Sequence, residues 1–399
     1  MAGGGTGATT MVLAEQLNHT ESEIVYLDFS SSSMNVAQSR ARFRGLKNVV
    51  WVREGIENIH RLNLATFDFM QCSGVLHHLK RPITGLKVLK DILQLEGGID
   101  LMVYGTYGRT GVYHMQETLR LLNFQTTQIT DELKMAKSAL ESLPKTNWFK
   151  KGETSMDGHK MGDSGIYDLL LHKRDISYTV PQFFQWIEMA GLSTVRYTIS
   201  DVPPISSENE ILTAYGIKHY DRIFSRNIKA IQTQMQKVSE LIYSYVSMQN
   251  AFVSLNTDNE AQISNLENVL FIPGDGKCPS GLQKRVWSIK NGDNYFVSNV
   301  TEFSKGTTFP IRWPLNDVSK QLLHILVRSE CNIKIATLFS TFRKQTKNKE
   351  TDNSLLEYLE PLYRYGNNAG IFLLKKNNVK NFPKSNTPLF EIPKNHRKS

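Results

Sequence analysis

A glycine turn, a carboxylate at a strand end and a few imidazoles are the residues of this chain best suited to chemistry. Gly3-Gly4-Gly5-Thr6-Gly7 fits the pattern G-x-G-x-G directly before an apolar helical segment. Backbone without side chains can approach a ligand closely, although glycine turns also precede many helices that bind nothing. Asp28 follows about twenty residues later at the end of an apolar run. A carboxylate so placed can accept hydrogen bonds from the ribose of a nucleotide-like ligand; a helix N-cap or a surface carboxylate is the plain alternative. The run FDFMQCSGVLHHL, residues 67–79, is an apolar strand ending in a small-residue turn, and it closes on His77 and His78. Adjacent strand residues point opposite ways, so one imidazole is expected to face the ligand, and His78 is the candidate acid–base group. Asp168 and His172 stand four apart, and on a helix they share a face where a carboxylate can orient an imidazole. A surface pair of small energetic weight is the competing reading. Tyr104, Tyr107, Arg109 and Tyr113 cluster after another strand and are suited to a substrate wall. There Arg109 can hold a carboxylate or phosphate, or simply tie an inserted lid to the sheet.

The elements that must position these groups alternate between strand and helix across the first hundred residues, the pattern of a parallel α/β sheet. Strands are expected at Glu23 to Leu27, Asn48 to Val52, Phe67 to Cys72 and Ile99 to Tyr104, the last entered by a Gly97-Gly98 turn. Helices are expected at Ala8 to Leu17, Ser33 to Phe43 and Ile83 to Leu93. Residues 106–178 break the alternation and read as a lid inserted over the ligand edge. The pattern resumes with a helix from Pro181 to Ala190, capped by Gly191, and a strand from Thr194 to Ile199. Residues 205–255 read as a helical connector with an amphipathic helix from Ile223 to Val246. Residues 265–375 mix short strands with helices near Val318 to Val327 and Leu355 to Tyr363, an α+β module of possible winged-helix type. Residues 376–399 form a basic flexible tail.

In order and spacing, the set Gly3 to Gly7, Asp28, Glu54-Gly55-Ile56, GVLHH and Gly97-Gly98 resembles the class I S-adenosylmethionine-dependent methyltransferases. The likeness is to the bacterial-type branch with GVLHH after the fourth strand, and it covers residues 1–200. It implies a Rossmann-like, doubly wound sheet and S-adenosyl-L-methionine as cofactor. By that resemblance, Gly3, Gly5 and Gly7 would line the methionine portion and ribose, and Asp28 would hold the ribose hydroxyls. Gly55 and Ile56 would flank the adenine, and Ser73, Gly74 and Val75 would floor the site beside the sulfonium. The implied activity is methyl transfer to an unidentified small-molecule or protein acceptor. An RNA methyltransferase and a non-catalytic methyltransferase-like interaction protein are the alternatives. A dehydrogenase shares the glycine turn, with Ala8 at its third-glycine position, but leaves GVLHHL without a role.

The glycine turn begins at residue 3, so the strand that should precede it is missing; the sequence is expected to be an incomplete version of a longer protein. Loss of that strand would leave its two neighbours with unpaired edges. The 399 residues are 40% apolar and 21% charged, an ordinary globular balance. No apolar run approaches the roughly 20 residues that span a bilayer, and no secretion signal is visible. Cys72, Cys278 and Cys331 lie far apart, against a disulfide framework and fitting a cytoplasmic protein. No histidine falls at zinc spacing with cysteine, and no metal is expected. The net charge is +9. Lys375, Lys376, Lys380, Lys384, Lys394, Arg397 and Lys398, against Glu391 alone, account for most of it. That concentration fits a solvated tail better than a nucleic-acid-binding arm and supports RNA as a partner only weakly.

Overall fold

A computed structural model describes residues 1–18, 20–62, 64–122, 128–152, 162–198, 237, 240–241, 246–256, 261–271, 295–302, 307–329, 332–368 and 373–377. The chain divides into two units, residues 1–14 with 23–259, and residues 15–22 with 260–399.

In the first unit α1 (Ala8–Leu17) follows the glycine turn and leads to β1 (Ile24–Asp28). The near-continuous burial of β1 is what a parallel strand covered on both faces requires. α2 (Ser31–Phe43) begins at Ser30, whose hydroxyl accepts the Ser33 N–H. β2 (Val49–Arg53) then returns parallel to β1, in register from Ile24 opposite Val49 to Asp28 opposite Arg53. β3 (Phe67–Ser73) pairs in parallel with β4 (Leu93–Tyr104) through the crossover helix α3 (Pro82–Asp91). α8 (Val180–Met189) starts with the Thr179–Gln182 capping box and leads to β5 (Ser193–Thr198).

Two corrections to the sequence reading fall in this sheet. Gly97 and Gly98 lie within β4 and are not a turn into it, because the pairing slips there: Phe67 faces Leu93 while Phe69 faces Gly98. Met248–Ser254, assigned by sequence to a helical connector, is a strand, β6, inserted antiparallel between β4 and β5. Its alternation is the reason: Gln249, Ala251 and Val253 are buried while Phe252 is exposed. Ile223 to Val246, read as a long helix, falls largely outside the described residues.

The sheet is recorded in two parts, β1 with β2 and the order β3-β4-β6-β5. Met1 and Ala2 run between them. Ala2 bridges Leu27 in parallel, and its N–H donates to the Gln71 carbonyl at 2.8 Å. The Met1 ammonium donates to the Val25 carbonyl at 2.8 Å, and Leu27 N–H to the Met1 carbonyl at 3.0 Å. These two residues therefore pair with both β1 and β3, which diverge beyond them around an apolar cavity of about 30 Å³. The chain winds outward from this point in both directions, so the glycine turn lies at the topological switch point where ligands bind in doubly wound sheets.

Between β4 and α8 lies a helical insertion: α4 (Thr110–Leu122), α5 (Ile129–Glu141), α6 (Trp148–Lys151), α7 (Asp163–Ile166) and a π-helical turn (Tyr167–Leu171). It has its own core, including Val112, Met115, Leu119, Ala136, Phe149 and Ile166. The core of the sheet itself is built from Leu76, Leu86, Ile99, Leu101, Val103 and Phe183 among others.

The second unit is α+β. β7 (Val269–Phe271) is flanked antiparallel by β10 (Asn332–Lys334) and β11 (Leu373–Lys375), while β8 (Tyr295–Glu302) and β9 (Thr307–Pro314) pair as an antiparallel ribbon. Its helices are α9 (Asp317–Arg328), α10 (Ile335–Thr346) and α11 (Asp352–Asn368), packed through Leu322, Leu326, Phe339, Phe342 and Leu359. Sequence patterning missed β9, β10 and α10. Of the basic tail, residues 378–399 lie outside the described residues, as do Cys278 and Cys331. Among the described residues, no helix is long and apolar enough to cross a membrane.

Candidate functional site

The glycine turn folds back on β1. Gly3, Gly5 and Gly7 all have positive φ, at 79°, 52° and 84°, a region costly for residues with a Cβ. Their surroundings differ. A Cβ on Gly3 would lie 2.4 Å from a Val75 methyl, and one on Gly7 2.7 Å from the Ala37 Cβ, whereas one on Gly5 would meet nothing within 4 Å. Gly3 and Gly7 thus pack the turn against its neighbours, and the open space lies over Gly5. Tyr26, fully buried, donates its hydroxyl to the Gly5 carbonyl at 2.6 Å, and its ring fills the place of a Gly4 side chain. Burial, reinforced by nearby Asp28, pushes the Tyr26 phenol well above its ordinary range.

Asp28 is 8% exposed. Its Oδ2 accepts the Gly5 N–H at 2.7 Å and its Oδ1 the Ser30 N–H at 2.8 Å. A carboxylate offers about four acceptor positions, so each oxygen keeps one for an incoming hydroxyl. Gly55 caps a short 3₁₀ turn, and Ile56 points into the core at 4% exposure, so its side chain is spent on packing. Glu54 Oε1 accepts from Asn58 Nδ2 and Gly55 N–H, and these bonds hold its carboxyl below the usual range. Ser73 is exposed at the end of β3, Gly74 has φ 75°, and Val75 sits against Gly3.

Beyond Val75 the chain makes a 3₁₀ turn, Leu76–His78, which delivers two imidazoles to the end of β4. His77 is fully buried, its ring 4.0 Å from that of Tyr104 and 4.2 Å from that of His78. Burial, helped by repulsion from His78, Arg109 and His172, lowers its pKa to about 2, so the ring is neutral. The His78 and His172 rings lie with centroids 3.9 Å apart, tilted by 37°. Both rings place Nδ1 on one acceptor, the Arg174 carbonyl, at 2.7 Å from His78 and 2.6 Å from His172. A carbonyl oxygen only accepts, so His78 Nδ1 carries the proton and its Nε2 presents a lone pair, whereas His172 Nδ1 also meets the donating Arg174 N–H at 3.2 Å, so its geometry fixes no tautomer. Burial lowers the His78 pKa, and the Arg174 carbonyl opposes that shift.

The expected pairing of Asp168 with His172 is not the one made. Tyr167–Leu171 closes as a π-helical turn and His172 lies past its end in extended conformation, where its ring turns to the Arg174 carbonyl. Asp168 is exposed. Arg109 is also not displayed as a substrate anchor. It is 5% exposed, with its guanidinium carbon 3.5 Å from the Tyr104 ring centroid and Nη2 3.5 Å from Asp175 Oδ2. Of the two sequence readings it follows the second: lying over Tyr104 at the end of β4, it ties the insertion to the sheet. Tyr113 lies farther from Arg109, at 5.9 Å, and points its hydroxyl at the Gly105 carbonyl at 3.4 Å; Tyr107 is half-buried in the 3₁₀ turn that precedes α4. Burial pushes both the Tyr104 and Tyr113 phenols up to about 12, so they act as hydrogen-bonding groups and not as bases.

Sequence reasoning missed Asp175 and Gln116. Gln116 Nε2 donates to Asp175 Oδ2 at 2.8 Å and to the Leu169 carbonyl at 3.0 Å, fixing a carboxylate whose side chain is fully buried. The surrounding KRDIS sequence reads as an ordinary polar loop, and nothing in it signals burial. One ligand-capable atom from each of His77, His78 and Asp175 lies within 4.8 Å of the others, a grouping that linear zinc spacings do not reveal.

This geometry agrees with the comparison to known proteins. Residues 2–99 match the methyltransferase-domain family model. An uncharacterized protein of Synechococcus sp. is 30% identical to the chain over 203 residues, covering 50% of this chain and 48% of that protein. The chain therefore spans about half the length of this curated relative. PKMT2 from Rickettsia typhi has the same fold: TM-score 0.52 and 14% identity over 93% of this chain and 69% of that one. The same protein in complex with AdoHcy gives TM-score 0.52 and 12% identity, over 93% and 70%. The Rossmann-like α/β sheet continues beyond the match of residues 2–99, through β6.

Proposed function

We propose that this chain is an S-adenosyl-L-methionine-dependent methyltransferase, with the cofactor on the Gly3–Gly7 turn and Asp28 and the acceptor against His78 and His172. One observation carries the reading: the turn is pinned to Asp28 through Gly5, yet the space over Gly5 is open, at the switch point of the sheet. The residues present suit the cofactor. The glycine backbone admits close approach, and each Asp28 oxygen retains an acceptor position for a ribose hydroxyl. GVLHH runs from the turn to the imidazoles, with Val75 touching Gly3 and His77 and His78 following directly. PKMT2, which shares the fold, has been solved in complex with AdoHcy.

When bound, S-adenosyl-L-methionine supplies an electrophilic methyl group on a sulfonium. The chain's own contribution is alignment, exclusion of water and, for an acceptor that must lose a proton, a base. The His78 and His172 imidazoles, both held at the Arg174 backbone, are placed to take that proton, and their rings, 3.9 Å apart, help to exclude water. The acceptor is a small molecule or a protein side chain.

Calorimetric titration with S-adenosylhomocysteine tests the proposal, with NAD and the Asp28→Ala protein as controls. Micromolar binding that is lost in the variant, with none for NAD, supports it. Binding of NAD in place of S-adenosylhomocysteine, or no binding by a folded sample, overturns it.

A further inference from the structure

We propose that His77, His78 and Asp175 form a binding site for a divalent first-row transition metal ion of the zinc class. The donor set is two neutral imidazoles and one carboxylate, which suits Zn²⁺ and its neighbours and not the oxygen-seeking Mg²⁺ or Ca²⁺.

The first line of argument is polar accounting. Buried polar atoms are nearly always hydrogen-bonded, and exceptions call for an explanation. Here four such atoms lack a partner within one cluster: both ring nitrogens of fully buried His77, His78 Nε2 and Asp175 Oδ1. The three residues can bring one ligand atom each to within 4.8 Å of one another. Metal–ligand bonds of about 2.0–2.2 Å put tetrahedral ligand atoms roughly 3.4 Å apart, so closing on an ion takes side-chain shifts of about an ångström.

The second line is the outer support. Metal-bound histidines usually donate their other ring N–H to a carbonyl or carboxylate, and ligating carboxylates are themselves hydrogen-bonded. His78 does the first, giving Nδ1–H to the Arg174 carbonyl at 2.7 Å and leaving Nε2 free. Asp175 does the second, its Oδ2 held by Gln116 Nε2 at 2.8 Å and by Arg109, leaving Oδ1 free. Besides the second His77 ring nitrogen and Arg109 Nε, the unpartnered atoms of the cluster are those a metal would take. Arg109 places a positive charge nearby, but that charge is already set against Asp175 and the Tyr104 ring. An ion on these three ligands keeps an open position for a water or a ligand donor.

A bound ion would occupy the same His78 Nε2 that the methyl-transfer reading uses for the proton, so the two uses exclude each other at that atom, and the test of the site needs no cofactor or acceptor. Untagged protein is stripped with a chelator and dialysed against ZnCl₂, the bound metal is counted, and Co²⁺ is titrated in parallel while its visible absorption is followed. The expected result is one Zn²⁺ per chain and intense Co²⁺ bands in the visible. In His78→Ala and in Asp175→Asn, affinity falls at least tenfold and the Co²⁺ bands disappear. In Gln116→Ala affinity falls about tenfold with the bands retained, the size expected for loss of an outer partner. Circular dichroism on each variant identifies those that fold. Asp175→Asn leaves Arg109 without its partner, and His78→Ala decides the matter should that protein not fold. Failure of folded wild-type protein to bind stoichiometric metal, or a folded His78→Ala protein with unchanged affinity and bands, overturns the site and leaves water as the partner of these buried atoms.

Discussion

Asp28 Oδ2 accepts the Gly5 N–H at 2.7 Å, joining the carboxyl end of β1 to the apex of the glycine turn. One carboxylate therefore shapes the turn and, in the proposed complex, holds the ribose. Asp28→Ala loses both roles; with charged hydrogen bonds worth about 1.5–3 kcal/mol each, S-adenosylhomocysteine affinity should fall at least about 100-fold. Asp28→Asn keeps one acceptor oxygen and should fall between that protein and wild type. Calorimetry on the two variants checks the ordering, and equal losses in both would place the effect in charge alone.

Gly3 and Val75 are packed so closely that a methyl group on the first would overlap the second at 2.4 Å. Gly3→Ala combines that collision with a φ of 79°. It should destabilise the first unit by about 1–3 kcal/mol, the range of overpacking and backbone strain. Val75→Ala removes the collision and not the strain, so the double variant should recover part of the loss. Thermal unfolding of the three proteins measures the recovery. If Val75→Ala recovers none of it, the strain is the whole cause.

How much of this was legible in the sequence depends on whether the signal was local. The glycine turn, Asp28 and the GVLHH turn were readable because a turn or a strand end is set by neighbouring residues. β6 was not: the strand signal in Met248–Ser254 is short and follows apolar residues at helical spacing, and only pairing with β4 and β5 makes it a strand. Arg109 was readable as a residue but not as a buried one, since its partners Asp175 and Tyr104 come from other segments. The Asp168–His172 pair failed for a related reason. Spacing of four is informative only while the helix continues, and the chain leaves it at His172. Sequence could not tell that Met1 and Ala2 would pair with both flanking strands.

His172 and His78 share the Arg174 carbonyl, with ring centroids 3.9 Å apart, so in the proposed reaction removing either ring alters the proton's acceptor without touching the glycine turn. His172→Ala should slow S-adenosylhomocysteine formation about 10²-fold with an acceptor whose nucleophile must be deprotonated, in line with a lost general base. Cofactor affinity should stay within about twofold of wild type, because among the described residues the ring contacts and hydrogen bonds of His172 go to His78, Tyr167 and Arg174 and not to the turn or Asp28. Unchanged turnover would remove His172 from the reaction.

Glu240 is fully buried; its carboxylate accepts the Val180 N–H at 2.8 Å and a longer bond, 3.4 Å, from Gln249 Nε2. Burial raises its pKa from 4.5 to about 7, against the smaller opposing effects of those bonds and Lys237. The folded chain thus binds a proton that the unfolded chain releases between pH 4.5 and 7. Stability from this group is full below pH 4.5, declines as pH rises through that window and is lost above 7. Glu240→Gln keeps an acceptor for Val180 and removes the titration. The variant should therefore gain on wild type as pH rises from 5 to 8, by on the order of 1–3 kcal/mol. Denaturant unfolding of both proteins at the two pH values reads the difference directly. A constant gap between them would show that Glu240 ionises in the folded protein as it does in the unfolded chain, and that its charge is solvated or paired more fully than its burial implies.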